Sequence, residues 1–277
     1  LSGYIALADT DIFDVEYWDL EQAKLNKAGN PPVFSGESVL ITGAASGIGL
    51  ACVKTFLNLG AAVIGLDKNP AITALSDNAA YLGLVCNLSD EDQIRHSIAE
   101  AVRRFGNAGV FPQSCKIESM SSNLWRDVMS VNLDATMVVL RECLPYLKLA
   151  YHSGRIVVIG SKNVTAPGPG AAAYSCAKAA VNQLARVAAL ELADNHIRIN
   201  TLHPDAIFDT GIWNDQILAE RAAHYGLDVE QYKTKNLLGV ELQSQDVAGL
   251  AAALCGPLFS KSTGIQIAID GGNERVI

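Results

Sequence analysis

Short apolar segments alternate with longer helical segments along most of this 277-residue chain. The apolar segments lie at 38–42, 61–67, 80–87, 155–160, 197–202 and 265–270, and the helical ones at 47–59, 89–105, 123–149 and 173–193. Strands that are apolar throughout are typical of a parallel sheet covered by helices on both faces. The pattern therefore predicts an α/β fold of the doubly wound, Rossmann type with three layers.

One strand is missing from this alternation. The helix predicted at 89–105 ends just before Gly106, and the triplet Asn107-Ala108-Gly109 follows at once. A crossover helix has to return the chain to the sheet through a further strand, and removing a central strand would empty the core. We therefore expect residues to be absent between about Gly106 and Asn107. If the joint is genuine, cofactor binding is in doubt.

The composition narrows the class of protein. The net charge is −8 and the pI is about 5.1, which argues against nucleic acid as a partner. No apolar run is long enough to span a bilayer, and the start of the chain lacks the basic region of a signal peptide. The 6 scattered cysteines are typical of reduced thiols, and the histidines show no metal-ligand spacing. These features predict a cytoplasmic protein with no membrane partner and no metal site.

The first segment, 1–36, differs from the rest of the chain. It is acidic and aromatic, and a Gly-Asn-Pro-Pro sequence at 29–32 interrupts its one predicted helix. Glycine and proline in such a cluster mark a turn or linker. We interpret 1–36 as a linker or docking arm and 37–277 as the folded domain.

A glycine-rich turn, 42–49, stands between the first predicted strand and the first predicted helix. In this context backbone amides and a helix N-terminus can surround a pyrophosphate, and glycine permits the close approach. The residues expected to bind it are Gly43, Ser46, Gly47, Ile48 and Gly49.

Asp67 ends the second predicted strand. A carboxylate there can accept hydrogen bonds from the adenosine ribose hydroxyls and would repel a 2′-phosphate, which favours NAD over NADP. Lys68 follows it and leaves the choice open, and a solvated aspartate at a strand end is the simpler alternative. Asn87 and Leu88, after the third strand, are candidates for contact with adenine.

A hydroxyl, a phenol and an ammonium follow the fourth apolar segment, at Ser161, Tyr174 and Lys178. Tyr174 and Lys178 share a helix face because they are spaced i, i+4. A nearby positive charge would lower the tyrosine pKa, and such a pair can move a proton to or from an alcohol or carbonyl oxygen. Taken alone, many pairs of this spacing are accidents of a helix surface.

These features together resemble the short-chain dehydrogenase/reductase family over about 36–277. The glycine turn, the 107–109 triplet, Asn132, Ser161, Tyr174, Lys178 and Pro204 occur in the family's order. The resemblance implies a seven-stranded sheet, NAD as cofactor, and a homodimer or homotetramer. It also implies cofactor contacts from Asn107, Ala108, Gly109, Tyr174, Lys178, Pro204 and Ile207.

The resemblance further implies a role for each polar residue. Tyr174 would be the general acid/base, and Ser161 would orient the substrate oxygen. Lys178 would lower the tyrosine pKa and hold the nicotinamide ribose, while Asn132 would support a water chain. The chain departs from the family at Asp205, where glycine is usual.

Two further departures from the family pattern and three stretches of sequence bear on the resemblance. Asn87 stands where aspartate is usual, and Thr210 lies one position further along than is common. The stretches 14–25, 160–163 and 270–277 resemble the dehydrogenase half of bifunctional aldolase/short-chain dehydrogenases, which implies an aldolase-like domain preceding this one in the same polypeptide.

A substrate lid is expected at about 205–240. Its aromatic residues either cover a small polar substrate or pack the lid's own helices, and Lys162 and Asn163 either reach the substrate or bind solvent. We predict an NAD-dependent oxidoreductase acting on a small alcohol, aldehyde or sugar-derived compound. The alternatives are a noncatalytic NAD-binding scaffold or sensor for a fused aldolase, and an NADP-dependent carbonyl reductase.

Overall fold

The computed structural model describes residues 32–103, 115–150, 153–211 and 213–273. The strands in this part of the chain are β1 (Ser38–Thr42), β2 (Ala62–Asp67), β3 (Tyr81–Val85), β4 (Arg155–Ile159), β5 (Arg198–Pro204) and β6 (Gln266–Ile269). The α-helices are α1 (Gly47–Asn58), α2 (Glu91–Arg103), α3 (Ser122–Met129), α4 (Ala135–Leu147), α5 (Ala172–Glu191), α6 (Asp215–His224), α7 (Val229–Lys233) and α8 (Ser244–Cys255). The predicted alternation of strands and helices is confirmed.

The strands form two three-stranded parallel sheets, with β2 between β1 and β3 and with β5 between β4 and β6. Ser38 is opposite Ala62 in the first sheet, and Arg155 is opposite Arg198 in the second. Within the described residues, β1 and β4 each have one edge without a partner strand. The predicted count of seven strands is therefore not confirmed.

Helices cover both faces of these sheets. Successive residues of a strand point to opposite faces, so Val157 packs in a cluster with α1 and α8 while Val158 packs in a cluster with α5. A third cluster joins Leu66 of β2 to α2 and α4. The cluster on the α1–α8 side contains side chains from both sheets, so the sheets share one core. This is the layered α/β arrangement that the apolar strands predicted.

A cavity of about 2140 Å³ is lined by every residue of β1 and of β4. It thus runs along the two strand edges that have no partner in the described part of the chain. Leu40 of β1 is apolar and yet 37% exposed. The position at which the sequence predicts a missing strand, 106–107, lies outside the described residues.

The predicted arm also lies mostly outside them, because description begins at residue 32. Phe34, which the sequence analysis placed in the arm, is 3% exposed and its ring centroid lies 5.1 Å from that of Phe56 on α1. Its backbone N–H donates to the Leu59 carbonyl at 3.0 Å. The end of the predicted arm therefore packs as part of the domain core.

Candidate active site

Ser161 and Tyr174 are brought together where β4 ends and α5 begins. Ser161 is 7% exposed, and its Oγ accepts a hydrogen bond from the Asn163 amide at 3.2 Å. Its hydroxyl is also hydrogen-bonded to the Tyr174 side chain. Both residues line the large cavity, so the predicted hydroxyl and phenol share one site.

Lys178 lies one turn beyond Tyr174 on α5 and lines the same cavity. Its Nζ donates to the Ile159 carbonyl at 2.9 Å and lies 5.8 Å from the centroid of the Tyr174 ring. The carbonyl at the end of β4 thus fixes the ammonium beside the phenol. The i, i+4 spacing predicted this proximity correctly.

Burial shifts the pKa values of this pair in a direction that the sequence analysis did not predict. Loss of hydration raises the pKa of Tyr174 to about 12, although its hydrogen bond to Ser161 acts in the opposite direction. Burial likewise lowers the pKa of Lys178 to about 8. The expected lowering of the Tyr174 pKa is therefore wrong, because the effect of burial outweighs that of the hydrogen bond to Ser161.

His203 of β5 positions Ser161, and the sequence analysis missed it. The His203 side chain is 7% exposed, and its Nδ1 lies 3.3 Å from the Ser161 backbone nitrogen and 3.0 Å from its carbonyl oxygen. Gly160 makes this contact possible, since a Cβ there would lie 2.6 Å from Nδ1. The sequence analysis considered the histidines only as metal ligands, and the strand predicted at 197–202 ended one residue before His203, whereas the observed strand extends to Pro204.

Asn132 lies in a π-helical turn, Ser130–Asp134, between α3 and α4. Its side chain is 5% exposed and its Nδ2 donates to the Val128 carbonyl at 3.0 Å. π-turns inside α-helices are rare and occur frequently at functional sites. The turn places Asn132 on the cavity wall, and its role in a water chain stays a prediction.

The glycine turn has the geometry of a phosphate-binding loop. Gly43 and Gly47 have φ values of 69° and 50°, which side chains disfavour. A Cβ on Gly49 would lie 2.1 Å from the Gly43 carbonyl oxygen, so the turn closes tightly against the helix. Ser46 caps α1 without a side-chain hydrogen bond, which leaves the first amides of the helix available to an anion.

Asp67 connects the end of β2 to this turn. Its carboxylate accepts from the Ala45 amide at 3.2 Å and from the Asn69 amide at 3.0 Å, and the residue is 9% exposed. A carboxylate has about four lone-pair sites, so acceptor capacity remains for a ribose hydroxyl. Asp67 is held in place by hydrogen bonds and is not simply a solvated strand end.

The other predicted cofactor residues divide into three groups. Leu88, Pro204 and Ile207 line the cavity together with the glycine turn. Asn87 is exposed, and its Oδ1 accepts from the Ser89 amide at 3.1 Å, so the structure places it in a turn away from the cavity lining. Asn107, Ala108 and Gly109 lie outside the described residues.

Asp205 takes part in a polar network at the mouth of the site. The Asp205 side chain is 7% exposed, and its carboxylate lies 3.1 Å from the Nζ of Lys162. Asn273 donates a hydrogen bond to the same carboxylate. The aspartate that departs from the family pattern therefore binds the lysine next to Ser161 and joins three loops at the cavity.

The predicted lid consists of α6, α7 and the segments around them. Phe208, Trp213 and Tyr232 pack against one another, with ring centroids 5.0 Å apart for Phe208–Trp213 and 6.1 Å apart for Trp213–Tyr232. Trp213, Tyr225 and Tyr232 also line the cavity. The lid aromatics thus both pack the lid and form part of the cavity wall.

A parallel α/β fold with a glycine turn after its first strand is typical of dinucleotide-binding proteins, and the Ser161–Tyr174–Lys178 cluster adds groups suited to proton transfer. Residues 37–220 match the family model described as short chain dehydrogenase. The chain belongs to this family. Among the described residues, no helix has the length and apolarity that crossing a membrane requires.

Among its relatives is the uncharacterized oxidoreductase YuxG of Bacillus subtilis, which is 32% identical over 98% of this chain. The chain spans 42% of the length of YuxG. The alignment extends over 292 residues, which is more than the 277 residues of the chain, so YuxG contains residues in this region that the chain lacks.

Two solved structures share the fold. A 3-ketoacyl-(acyl-carrier-protein) reductase from Brucella melitensis, complexed with NADH, is 26% identical with a TM-score of 0.75 and covers 86% of this chain and 98% of its own. The ligand-free aldohexose dehydrogenase of Thermoplasma acidophilum is 26% identical with a TM-score of 0.76 and covers 90% of this chain and 98% of its own.

Proposed function

We propose that this protein transfers a hydride between NAD(H) and a small alcohol, aldehyde or sugar-derived compound, with Tyr174 as the general acid/base. The observation that carries the proposal is the cluster of Ser161, Tyr174 and Lys178 on the wall of the cavity that also contains the glycine turn. Bound NAD(H) would accept or supply the hydride, and the residues of the chain would manage the proton.

The proton chemistry rests on Tyr174. With a pKa raised to about 12, the phenol is neutral at physiological pH and can donate its proton to a carbonyl oxygen that is being reduced. Ser161 is hydrogen-bonded to Tyr174, so its hydroxyl can orient the same oxygen. In the direction of oxidation Tyr174 has to act as a phenolate, which the Lys178 ammonium would stabilise.

The described residues fit a bound dinucleotide. The glycine turn and the N-terminus of α1 would hold the pyrophosphate, and Asp67 would accept hydrogen bonds from the adenosine ribose. Lys178 would contact the nicotinamide ribose, and Pro204 and Ile207 would border the nicotinamide. Asp67 favours NAD because its charge opposes a 2′-phosphate.

Replacing Tyr174 with phenylalanine tests the proposal. We expect Tyr174→Phe to retain NADH binding, measured by cofactor fluorescence, and to lose about 1000-fold or more in turnover because the proton donor is gone. Tyr81→Phe, at a tyrosine outside the cavity lining whose hydroxyl donates to the Ile72 carbonyl at 3.0 Å, is the matched control. Turnover of Tyr174→Phe within tenfold of the wild type would refute the assignment.

One observation favours a second candidate function, a noncatalytic NAD-binding scaffold or sensor. The cavity along β1 and β4 lies at the part of the fold that the sequence analysis expected a strand to fill, and an incomplete sheet could bind cofactor without turning over substrate. NADH binding without turnover on a broad panel of alcohols and aldehydes would support the scaffold. NADPH binding tighter than NADH would instead favour the carbonyl reductase.

The setting of the enzyme is also part of the proposal. We place it in the cytoplasm as a homodimer or homotetramer, formed through the helices α4 and α5. The greater length of YuxG is compatible with a further domain in relatives, and an aldolase-like domain preceding this one in the same polypeptide stays a prediction from the sequence resemblance.

A further inference from the structure

The lid holds a lysine above two stacked tyrosines. The rings of Tyr225 and Tyr232 are stacked, with centroids 5.8 Å apart and planes inclined at 22°. Lys235 Nζ lies 4.7 Å from the Tyr225 centroid and 5.6 Å from that of Tyr232. Attraction between the ammonium and the ring faces keeps this charge in place. All three residues line the cavity.

Tyr232 packs in the core of the lid with Phe208, Leu218 and Ala222, and it is 6% exposed and lines the cavity. A phenol on such a wall can donate its O–H to a ligand in the cavity. Burial raises the pKa of Tyr232, the positive charge of Arg221 acts in the opposite direction, and the smaller effects of Asp205 and Lys162 oppose each other. Arg221 is thus the charged side chain that influences this phenol most.

The charges at this end of the cavity are unbalanced. Lys162 is paired with Asp205 at 3.1 Å, and the lid helix α6 contributes the acid Glu220 to the wall. Arg221 and Lys235 also line the wall, and neither forms an ion pair with a carboxylate of the described residues. Arg221 and Lys235 are thus two cations on the wall of the cavity without an ion pair among the described residues, although the net charge of the protein is −8.

We propose that Arg221, Lys235 and the Tyr232 hydroxyl form an anion-binding subsite, so that the substrate is a hydroxy or carbonyl compound bearing a carboxylate or a phosphate. This inference rests on the proposed function for the identity of the reacting group. A guanidinium, an ammonium and a phenol offer several donors and no charged acceptor, which matches the oxygens of either anion. The negative charge of Glu220 beside Arg221 would reduce the affinity for an anion, but the net charge of the subsite would remain positive.

Position supports the same assignment. Lys162 follows Ser161 in the chain, and Lys162, Tyr174 and Tyr232 line the same cavity; the subsite therefore lies on a wall that the Ser161–Tyr174 cluster shares with the lid. An anionic group held there would orient the rest of the substrate with its oxygen toward Tyr174. A positive wall in an acidic protein also attracts anions selectively.

A binding experiment tests the subsite without requiring turnover. Trp213 packs 6.1 Å from Tyr232, so its fluorescence should respond to a ligand there, and Trp213→Phe would identify its signal among the 3 tryptophans. Lactate and inorganic phosphate should each change the emission, whereas uncharged 1,2-propanediol should not. We expect Arg221→Gln to weaken anion binding about tenfold and Tyr232→Phe about threefold.

The matched control is Lys233→Gln. Lys233 is paired with Glu241 at 3.3 Å and lies outside the cavity lining, so its loss should leave anion binding unchanged. Equal weakening by Lys233→Gln and Arg221→Gln would show a general charge effect and overturn the subsite. Equal responses to propanediol and lactate would overturn it as well.

Turnover distinguishes the two anions and separates this inference from the proposed function. Lactate against 1,2-propanediol and glyceraldehyde 3-phosphate against glyceraldehyde form matched pairs. Arg221→Gln should raise KM for the preferred anionic compound about tenfold with kcat within threefold, and leave KM for its neutral partner unchanged. Better turnover of the neutral compounds would overturn the subsite; anion binding with no turnover of any compound would support the subsite and refute the proposed function.

Discussion

Replacing Lys178 with methionine is expected to stabilise the protein at neutral pH while removing its activity. Burial lowers the pKa of Lys178 from 10.5 to about 8, and at about 1.4 kcal/mol per pKa unit this costs the folded state about 3 kcal/mol at pH 7. Methionine removes that cost and loses the hydrogen bond to Ile159, worth about 1 kcal/mol. The free energy of unfolding should therefore rise by about 2 kcal/mol, an upper value because the lysine is only partly buried.

The pH dependence gives the sharper test. Between pH 8 and pH 10.5 the unfolded chain binds the lysine proton and the folded chain does not, so the stability of the wild type should rise with pH across this window. At about pH 9.5 the free-energy cost of burying Lys178 falls to about 1 kcal/mol, so Lys178→Met should be no more stable than the wild type there.

Urea unfolding followed by tryptophan fluorescence at both pH values measures this difference. Lys54→Met, at an exposed lysine of α1, is the control and should show no such dependence. A Lys178→Met variant that is less stable at pH 7, or equally stabilised at both pH values, would refute the argument.

Two further predictions concern the cofactor cleft and the sheet. Asp67→Ser should raise the affinity for NADPH relative to NADH about tenfold in fluorescence titrations, since the carboxylate that opposes a 2′-phosphate is gone; an unchanged preference would show that Asp67 does not select the cofactor. Inserting a short apolar strand-forming segment between Gly106 and Asn107 should protect the amides of β1 and β4 from hydrogen exchange and stabilise the protein by about 3 kcal/mol or more, through burial of side chains such as Leu40. Unaltered exchange in both strands would mean that the cavity does not accept a strand.

Local patterns in the sequence were sufficient for much of the fold. The first strand was predicted at 38–42 and is found at Ser38–Thr42, and the helix predicted at 173–193 is found at Ala172–Glu191. Both are defined by hydrophobic periodicity and adjacent turn residues, which act over a few positions. The long helix predicted at 123–149 instead contains the π-turn at Ser130–Asp134, because no local pattern marks an extra residue in a helical turn.

Parts of the site that depend on distant pairs could not be predicted. His203 binds the backbone of Ser161 across 42 positions, and the Lys162–Asp205 pair joins loops from two strands. Each residue looks ordinary in its own segment, and its role appears only when β4 and β5 are adjacent. The pKa of Tyr174 was predicted in the wrong direction for a similar reason, since burial depends on the whole fold.

Hydride transfer coupled to a proton from Tyr174 is the central claim, and isotope transfer tests it most directly. NADH deuterated at the reactive carbon of its nicotinamide would be incubated with a panel of small aldehydes and ketones, with the products analysed by mass spectrometry. The wild type should yield an alcohol carrying one deuterium on the former carbonyl carbon, and Tyr174→Phe should yield none while still binding NADH. Product without deuterium, or deuterated product from Tyr174→Phe at the rate of the wild type, would contradict the account.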